Sequence, residues 1–492
     1  MEQGRVLPRN ADYRNILPLM THSHSKRRTF NPVNGTTFTS TGNNIIRIDI
    51  SGDAFLDPKH SYLTFRMTNN TGQALGVDFG GGHTFIRRLR IEQSGNILTD
   101  CNNYNRLLSA ILLPSQGGID SVKHRSVSEN VRYGNDKAVP PAGVLPCPNA
   151  DMSGATLNAV GTSTSQIVNN AAGGAAPGGA TAGSFATFCI PLMNGLLGPN
   201  QEKMIPLQLL GSSPLTIEIE LCNLLDVGCW AVAPAAGVDY LIDDVRYVAA
   251  LVETPAIVDE QVRMVQEVAN GRIVIGGTDW THFNGNIPVG ATGMQSINVP
   301  ARRRSIKSLW WTGASQTFVA GGAAAQDALY NLSFGGHMNL TDYSVKIGSV
   351  QHPPTPCFCD YGGAGPQNTR GEQLLELQKS LGTISTVEGA GVLNSSNFAV
   401  TDCDVGNMAA RAAYAAGAAD TSLRFCPFSL DFESFQRVSA DGGAINTADR
   451  ATPITLQLNV GVAAGEAVNI DAYVCYESLF YINADGSIRV SY

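Results

Sequence analysis

The sequence predicts an all-β chain made of two consecutive β-sandwiches. Three observations point there. Apolar and polar residues alternate with period two wherever a pattern can be read, turn-forming clusters separate the alternating runs, and the order of landmarks in the first half recurs in the second. Successive strand side chains point to opposite faces, so a strand that covers a core on one side shows one oily and one wet face.

Taken in order, Asn44-Ile45-Ile46-Arg47-Ile48-Asp49-Ile50 aims Ile46, Ile48 and Ile50 inward and Arg47 and Asp49 outward. Tyr62–Thr68 aims Leu63, Phe65 and Met67 inward, and Leu215–Leu221 repeats the device with Glu218 and Glu220 outward. Further alternations run through Tyr330–Phe334, Ile454–Val460, Ala472–Tyr476 and Gly486–Val490. Ser51-Gly52-Asp53 and Ala484-Asp485-Gly486 supply turns between them. Helical spacing is confined to short stretches. Asp100 is placed to cap a helix carrying Tyr104, Leu107, Leu108, Ile111 and Leu112, Glu372–Leu381 reads as a second, and Met408–Ala416 as a third. Asp151–Gly183, Gly313–Gln326 and Gly389–Asp420 read as long loops rich in small residues.

The repeat divides the chain. Ile45–Ile50 leads through Asp57-Pro58 into Ser61–Phe65, as Ser296–Pro300 leads through an arginine triplet into Ser305–Leu309. Each half then offers a strand and a helix: Phe85–Glu92 with Asn102–Leu113, and Tyr343–Gly348 with Glu372–Leu381. Each closes on two long alternating strands, with the junction between Glu253 and Gly271. The expected division is an N-terminal arm over 1–30, a first unit over 31–255 and a second over 256–492.

Composition narrows the function. Of 492 residues only 15% are charged, against roughly 25% in an average soluble protein. The formal net charge of −8 disfavours a protein that coats nucleic acid over its whole surface. No apolar run is long enough for a membrane helix, and the first residues lack the apolar core of a secretory signal. Ten scattered cysteines sit mostly among apolar neighbours and read as buried thiols rather than a disulfide framework. Phosphate-loop, dinucleotide, nucleophile-elbow and zincin motifs are absent, so neither an enzymatic activity nor a cofactor is expected.

The order of motifs resembles the double jelly-roll major capsid proteins of double-stranded-DNA viruses, of the virophage and Polinton-like type. The residues that carry the resemblance begin with Phe188-Cys189-Ile190-Pro191-Leu192, Gly195-Leu196-Leu197-Gly198, Ile205–Leu210 and Leu215–Leu221. In the second half they are Tyr343–Ser349, Pro353-Pro354, Gly442–Thr447 and the terminal hairpin from Tyr473 to Val490. The resemblance implies two eight-stranded jelly rolls with short helices in inter-strand loops. It also implies a homotrimer that forms pseudo-hexagonal capsomers of an icosahedral virion shell, with penton and minor capsid proteins as further partners. Low surface charge fits such a subunit, because interfaces are depleted in Lys, Glu and Asp.

Four groups of residues are candidates for contact or chemistry. Residues 1–28 hold Arg5, Arg9, Arg14, Lys26, Arg27 and Arg28 against Glu2 and Asp12, a balance of +4. They are expected to form an arm on the inner face that meets a neighbouring protein, with membrane or genome as the other candidates. Arg302, Arg303 and Arg304 and the pair Trp310-Trp311 are candidate interface residues, one indole being core and the other an anchor. Arg87-Arg88-Leu89-Arg90 is expected to pair with strand carboxylates such as Glu218 and Glu220 across subunits. Cys357 and Cys359, after His352 in a rigid proline-rich loop, have metal-ligand types but lack a second pair. Buried thiols are the expectation and a disulfide the lesser option. The competing functions are a β-sandwich attachment, spike or lectin-like protein and a carbohydrate-active enzyme.

Overall fold

The computed structural model describes residues 23–71, 80–116, 185–211, 213–230, 237–254, 272–315, 340–359, 371–382, 426–433, 444–448, 453–461 and 467–492, with a few short stretches between. The predicted strand Tyr330–Phe334 apart from Leu332, the helix Met408–Ala416 and most of the three long loops lie outside the described residues.

Eight main strands, besides a few of two or three residues, build the first half: β1 His24–Phe30, β2 Ile45–Ile50, β3 Phe55–Asn69, β4 Ile86–Gln93, β5 Asn96–Asn102, β6 Phe185–Ile190, β7 Leu215–Leu221 and β8 Tyr240–Glu253. They pair antiparallel as two facing sheets, β1-β8-β3-β6 and β2-β7-β4-β5. The second half supplies β9 Arg272–Ile287, β10 Gly293–Val299, β11 Ile306–Ser315, β12 Leu340–Ile347, β13 Val350–Phe358, β14 Phe428–Asp431, β15 Ile454–Val460 and β16 Val468–Asn483. Their order is β9-β16-β11-β14 and β10-β15-β12-β13, the first pattern shifted by eight strands throughout. Each half is a jelly roll, in which the chain alternates between two sheets so that sequence neighbours face one another across the core. A last strand, β17 Ile488–Ser491, folds back on β16 through a turn at Gly486, whose φ of 80° suits glycine.

The alternation read from sequence becomes burial directly. Leu215, Ile217, Ile219 and Leu221 are buried while Thr216, Glu218 and Glu220 are not, and Ile454–Val460 behaves identically. Matching aromatic clusters fill the two cores. Phe65, Phe85 and Phe188 meet at ring separations of 5.3–5.8 Å in the first, and Trp311, Tyr343 and Phe428 at 5.1–5.5 Å in the second. Each trio draws one ring from the third strand of its roll, one at or just before the fourth, and one from the sixth.

Three expectations change. β1 starts at His24 and is hydrogen-bonded to β8 through Phe30, so the last seven residues of the predicted arm belong to a sheet. Asp100 lies in β5 instead of capping a helix. Helix α1 follows as Tyr104–Arg106, a wider π-helical turn Leu107–Leu112 and Leu113–Gln116, entered from Asn103 in a left-handed conformation. The proline-rich segment is an edge strand, β13, where missing N–H groups break no ladder. The second predicted helix is present as α2, Gly371–Ser380.

Candidate assembly surfaces and the seam between the rolls

The outer face of β2-β7-β4-β5 is a lattice of ion pairs. One row crosses the sheet as Arg47, Glu218, Arg90 and Asp100, set opposite one another by the strand register. Arg47 lies 2.7 Å from Glu218, Arg90 3.4 Å from Glu218, and Arg88 donates two hydrogen bonds to Asp100 at 2.5 and 2.7 Å. Arg87 reaches Glu220 at 3.7 Å and Arg47 reaches Glu92 at 3.6 Å. The Arg47 and Arg88 guanidinium groups are accordingly held above their usual pKa, chiefly by hydrogen bonds to Glu218 and Asp100. These arginines thus pair within the chain, correcting the expectation of pairs across subunits. Cross-strand neighbours on one face are close enough to satisfy one another.

The two rolls meet along a seam. α1 and β5 of the first roll, Gln93 at the end of β4 and the loop after β6 cover the outer face of β9, β16 and β11. At its centre Asp471 accepts from His282 Nε2 at 2.8 Å and from Asn103 Nδ2 at 3.3 Å, with the buried Arg106 guanidinium 3.6 Å away. Tyr473 donates its hydroxyl to the Asn103 carbonyl at 2.9 Å, and Arg106 Nη1 donates to the Leu332 carbonyl at 2.5 Å. The left-handed turn at Asn103 lets one residue present both its amide and its carbonyl to the second roll. Burial works to raise the Asp471 carboxyl, but His282, then Arg106 and Asn103, outweigh it and hold it below its usual value. Asp279 has weaker company: burial pushes its carboxyl up to about 7, with Tyr476 donating at 3.4 Å.

Backbone closeness and side-chain clamps complete the seam. A Cβ on Gly195 would lie 2.8 Å from the Thr278 carbonyl, and Gly277 faces the Gly195 carbonyl just as tightly, so neither position admits a side chain. The Gln93 side chain donates to the Gly486 carbonyl at 2.9 Å and accepts from Ile488 N at 2.6 Å. Trp280 and Trp310 meet edge to face at 5.8 Å beside a cleft of about 670 Å³ that also holds Lys307, Glu433 and Glu477.

The structure places the predicted site residues as follows. Arg5, Arg9 and Arg14 lie outside the described residues. Lys26 pairs with Glu253, Arg27 donates to the Tyr62 hydroxyl at 3.1 Å, and Arg28 lies over the Phe30 ring at 4.9 Å. Arg302 and Arg304 are exposed, while Arg303 is wedged between the Tyr476 and Tyr492 rings at 4.6 and 4.3 Å. Trp310 and Trp311 are 1% and 0% exposed, so neither is available to a second subunit. Trp311 is core of the second roll, and Trp310, on the opposite face of β11, is buried in the seam. Cys357 and Cys359 are buried, the thiol of Cys357 pushed up to about 12 by burial and by the carboxylates of Glu376 and Glu372. His352 packs beside Phe432, and no cluster of three metal-ligating side chains occurs among the described residues.

Sequence reasoning missed the network of Arg106, Asp471, His282 and Asn103. Asn103 and Asp471 are 368 positions apart and each sits in an unremarkable local pattern. The one local signal was Asp471 itself, a carboxylate beside a run of apolar strand residues.

No family model matches the chain, and no curated protein matches it. Solved structures do. A chain of the cryo-EM structure of the Sputnik virophage superposes with a TM-score of 0.56 at 10% identity, covering 100% of this chain and 93% of that one. A chain of the quasi-atomic model of the PBCV-1 virus capsid gives 0.54 at 11% identity, covering 98% and 99%. The Faustovirus major capsid protein gives 0.52 at 8% identity, covering 97% and 92%. The fold is therefore the double jelly roll, matched from end to end.

Proposed function

We propose that this chain is a viral major capsid subunit, a structural protein of the virion and not an enzyme. The observation that carries the reading is the whole-length match to capsid chains, which covers both rolls. In this reading residues 24–255, which include β1, and residues 256–492 act as two near-equivalent units, and three copies supply six rolls to a pseudo-hexagonal capsomer that tiles an icosahedral shell. A chain built from two rolls needs only threefold closure to present a sixfold outline. Neighbouring capsomers, penton and minor capsid proteins are the further partners. Arg5, Arg9 and Arg14 are assigned to an inner-face arm that ends where β1 begins at His24. The proposed contacts of that arm are protein first, then membrane or genome.

The test is the mass and shape of the purified protein. Light scattering should give three times 52.1 kDa, and negative-stain images should show hexagonal plates. A monomer that never assembles overturns the reading. Deleting residues 1–22 should leave the trimer intact and reduce shell formation, and normal shells from the truncated protein would remove the arm from the scheme.

A further inference from the structure

The first roll covers only part of the outer face of β9-β16-β11-β14, and where its cover stops the seam opens into the cleft beside Trp280. Strand register sets the floor: Gly276 stands beside Leu479, Thr278 beside Glu477 and Trp280 beside Cys475, so these positions share one face. Gly276 leaves room there, since a Cβ on it would meet only Leu479 Cδ2, at an ordinary 3.8 Å. The loop after β6 walls one side with Asn200 and Lys203, and the end of α2 walls another with Lys379. At about 670 Å³ the cleft falls within the roughly 300–1,000 Å³ of small-molecule sites, which favour junctions between domains.

The chemistry of its walls selects the ligand. Trp280 offers a half-buried indole and Leu479 a side chain 41% exposed, together an apolar wall. The indole N–H of Trp310 donates to Ser308 at 2.7 Å, whereas that of Trp280 has no partner among the described residues. Three ammonium groups, of Lys203, Lys307 and Lys379, stand against four carboxylates, of Glu202, Asp431, Glu433 and Glu477. Lys307 lies 2.9 Å from Glu477 and 3.4 Å from Glu433, so the charges are largely answered within the wall. A small ion of either sign meets both kinds of charge here, and a hydrocarbon chain would strip them of water without replacing it. A neutral molecule rich in hydroxyls suits the cleft, because a hydroxyl both donates to a carboxylate and accepts from an ammonium. We propose that the cleft binds a neutral saccharide, its apolar ring face on Trp280 and its hydroxyls on Lys307, Glu433 and Glu477. The site is complete within one chain and goes beyond assembly.

The experiment titrates the full-length protein with the methyl glycosides of glucose, galactose and mannose and with N-acetylglucosamine, by isothermal calorimetry. At least one is expected to bind with a dissociation constant of about 1 mM or below. Gly276→Leu fills the cleft from its floor, and Trp280→Ala removes the wall on which the sugar ring rests. Each is expected to weaken binding at least roughly tenfold, and Gly276→Leu is expected to melt as wild type does by circular dichroism. Should Gly276→Leu melt early, Trp280→Ala decides alone. Phe185→Ala, which removes an aromatic ring 63% exposed on β6, is expected to leave binding unchanged. Failure of all four sugars to bind the wild type overturns the proposal. So does wild-type affinity in a folded Gly276→Leu or in Trp280→Ala, or equal weakening by Phe185→Ala. Tighter binding of phosphate or spermidine, lost in the same variants, overturns it as well, because the cleft is then an ion site.

Discussion

The sheets β2-β7-β4-β5 and β10-β15-β12-β13 hold equivalent positions in the two rolls, yet one outer face is ionic and the other nearly neutral. Register aligns them residue by residue. Arg47, Glu218 and Arg90 in the first correspond to Ser296, Gln457 and Ser344 in the second, and Glu220 and Arg88 to Asn459 and Asp342. The second face still closes short polar contacts, with Asn459 donating to Asp342 at 2.8 Å and Ser344 to Gln457 at 3.3 Å. The inner faces of both sheets are equally apolar. Inward side chains are thus set by the core, whereas outward ones are free to answer to whatever the face meets. Covering the ionic face would strip water from its charges, at a cost their mutual attraction does not always recover. The neutral face carries no such penalty.

The largest test of this contrast lies at the seam, where a polar network is fully covered. Asp471→Ala leaves the buried Arg106 guanidinium without its counter-charge and should cost about 3–5 kcal/mol in denaturant unfolding. Asp243→Ala, which frees the half-exposed Arg66 on the outer face of β3 and β8, should cost about 1 kcal/mol or less. Equal losses would mean that the covering of the second roll adds nothing to the strength of its polar contacts.

Next in size is a pH effect from Asp279. Its carboxyl is raised to about 7 in the fold, above its ordinary value of 3.8. Between these values the folded chain holds a proton that the unfolded chain has released. This contribution to stability is therefore complete below pH 4, declines as pH rises to 7 and is level beyond. Melting temperature followed across that range should show the decline in wild type and lose it in Asp279→Asn. A variant that keeps the same slope would assign the titration elsewhere.

Smaller still are the exchanges across the two outer faces. Glu218→Gln removes the acid shared by Arg47 and Arg90 and should cost about 1 kcal/mol, less at high salt where such pairs are screened. The reciprocal Gln457→Glu should change stability by under about 0.5 kcal/mol, since no cation faces it across the strands. A salt-independent loss in the first, or a large one in the second, would contradict the account of the two faces.

Much of the architecture was legible in the residues. Ile45–Ile50, Leu215–Leu221 and Ile454–Val460 are strands with the bounds that alternation predicts, and the repeat of landmarks foretold two rolls of one strand order. The candidate surface was legible only in part. Arg87 and Arg90 were rightly matched to Glu220 and Glu218, but within the same chain, and Arg88 pairs with Asp100 instead. Asp100 looked like a helix cap because a capping residue and a strand carboxylate are locally indistinguishable.

By itself, then, the sequence determined the strands, the inward faces and the internal repeat, because period-two patterning is local and burial of one face leaves few alternatives. Only the tertiary structure decided which outward faces are covered. Trp310 and Trp311 are adjacent residues of equal hydrophobicity, and β11 sends one to each side. That the outward one is buried depends on α1 and the loop after β6, more than 100 residues away in the chain. Arg106 and Asp471, like Gly195 and Gly277, are also remote from one another in the chain: contacts between rolls leave no periodic trace, since the docking of two finished sheets is settled by shape and charge after each has formed.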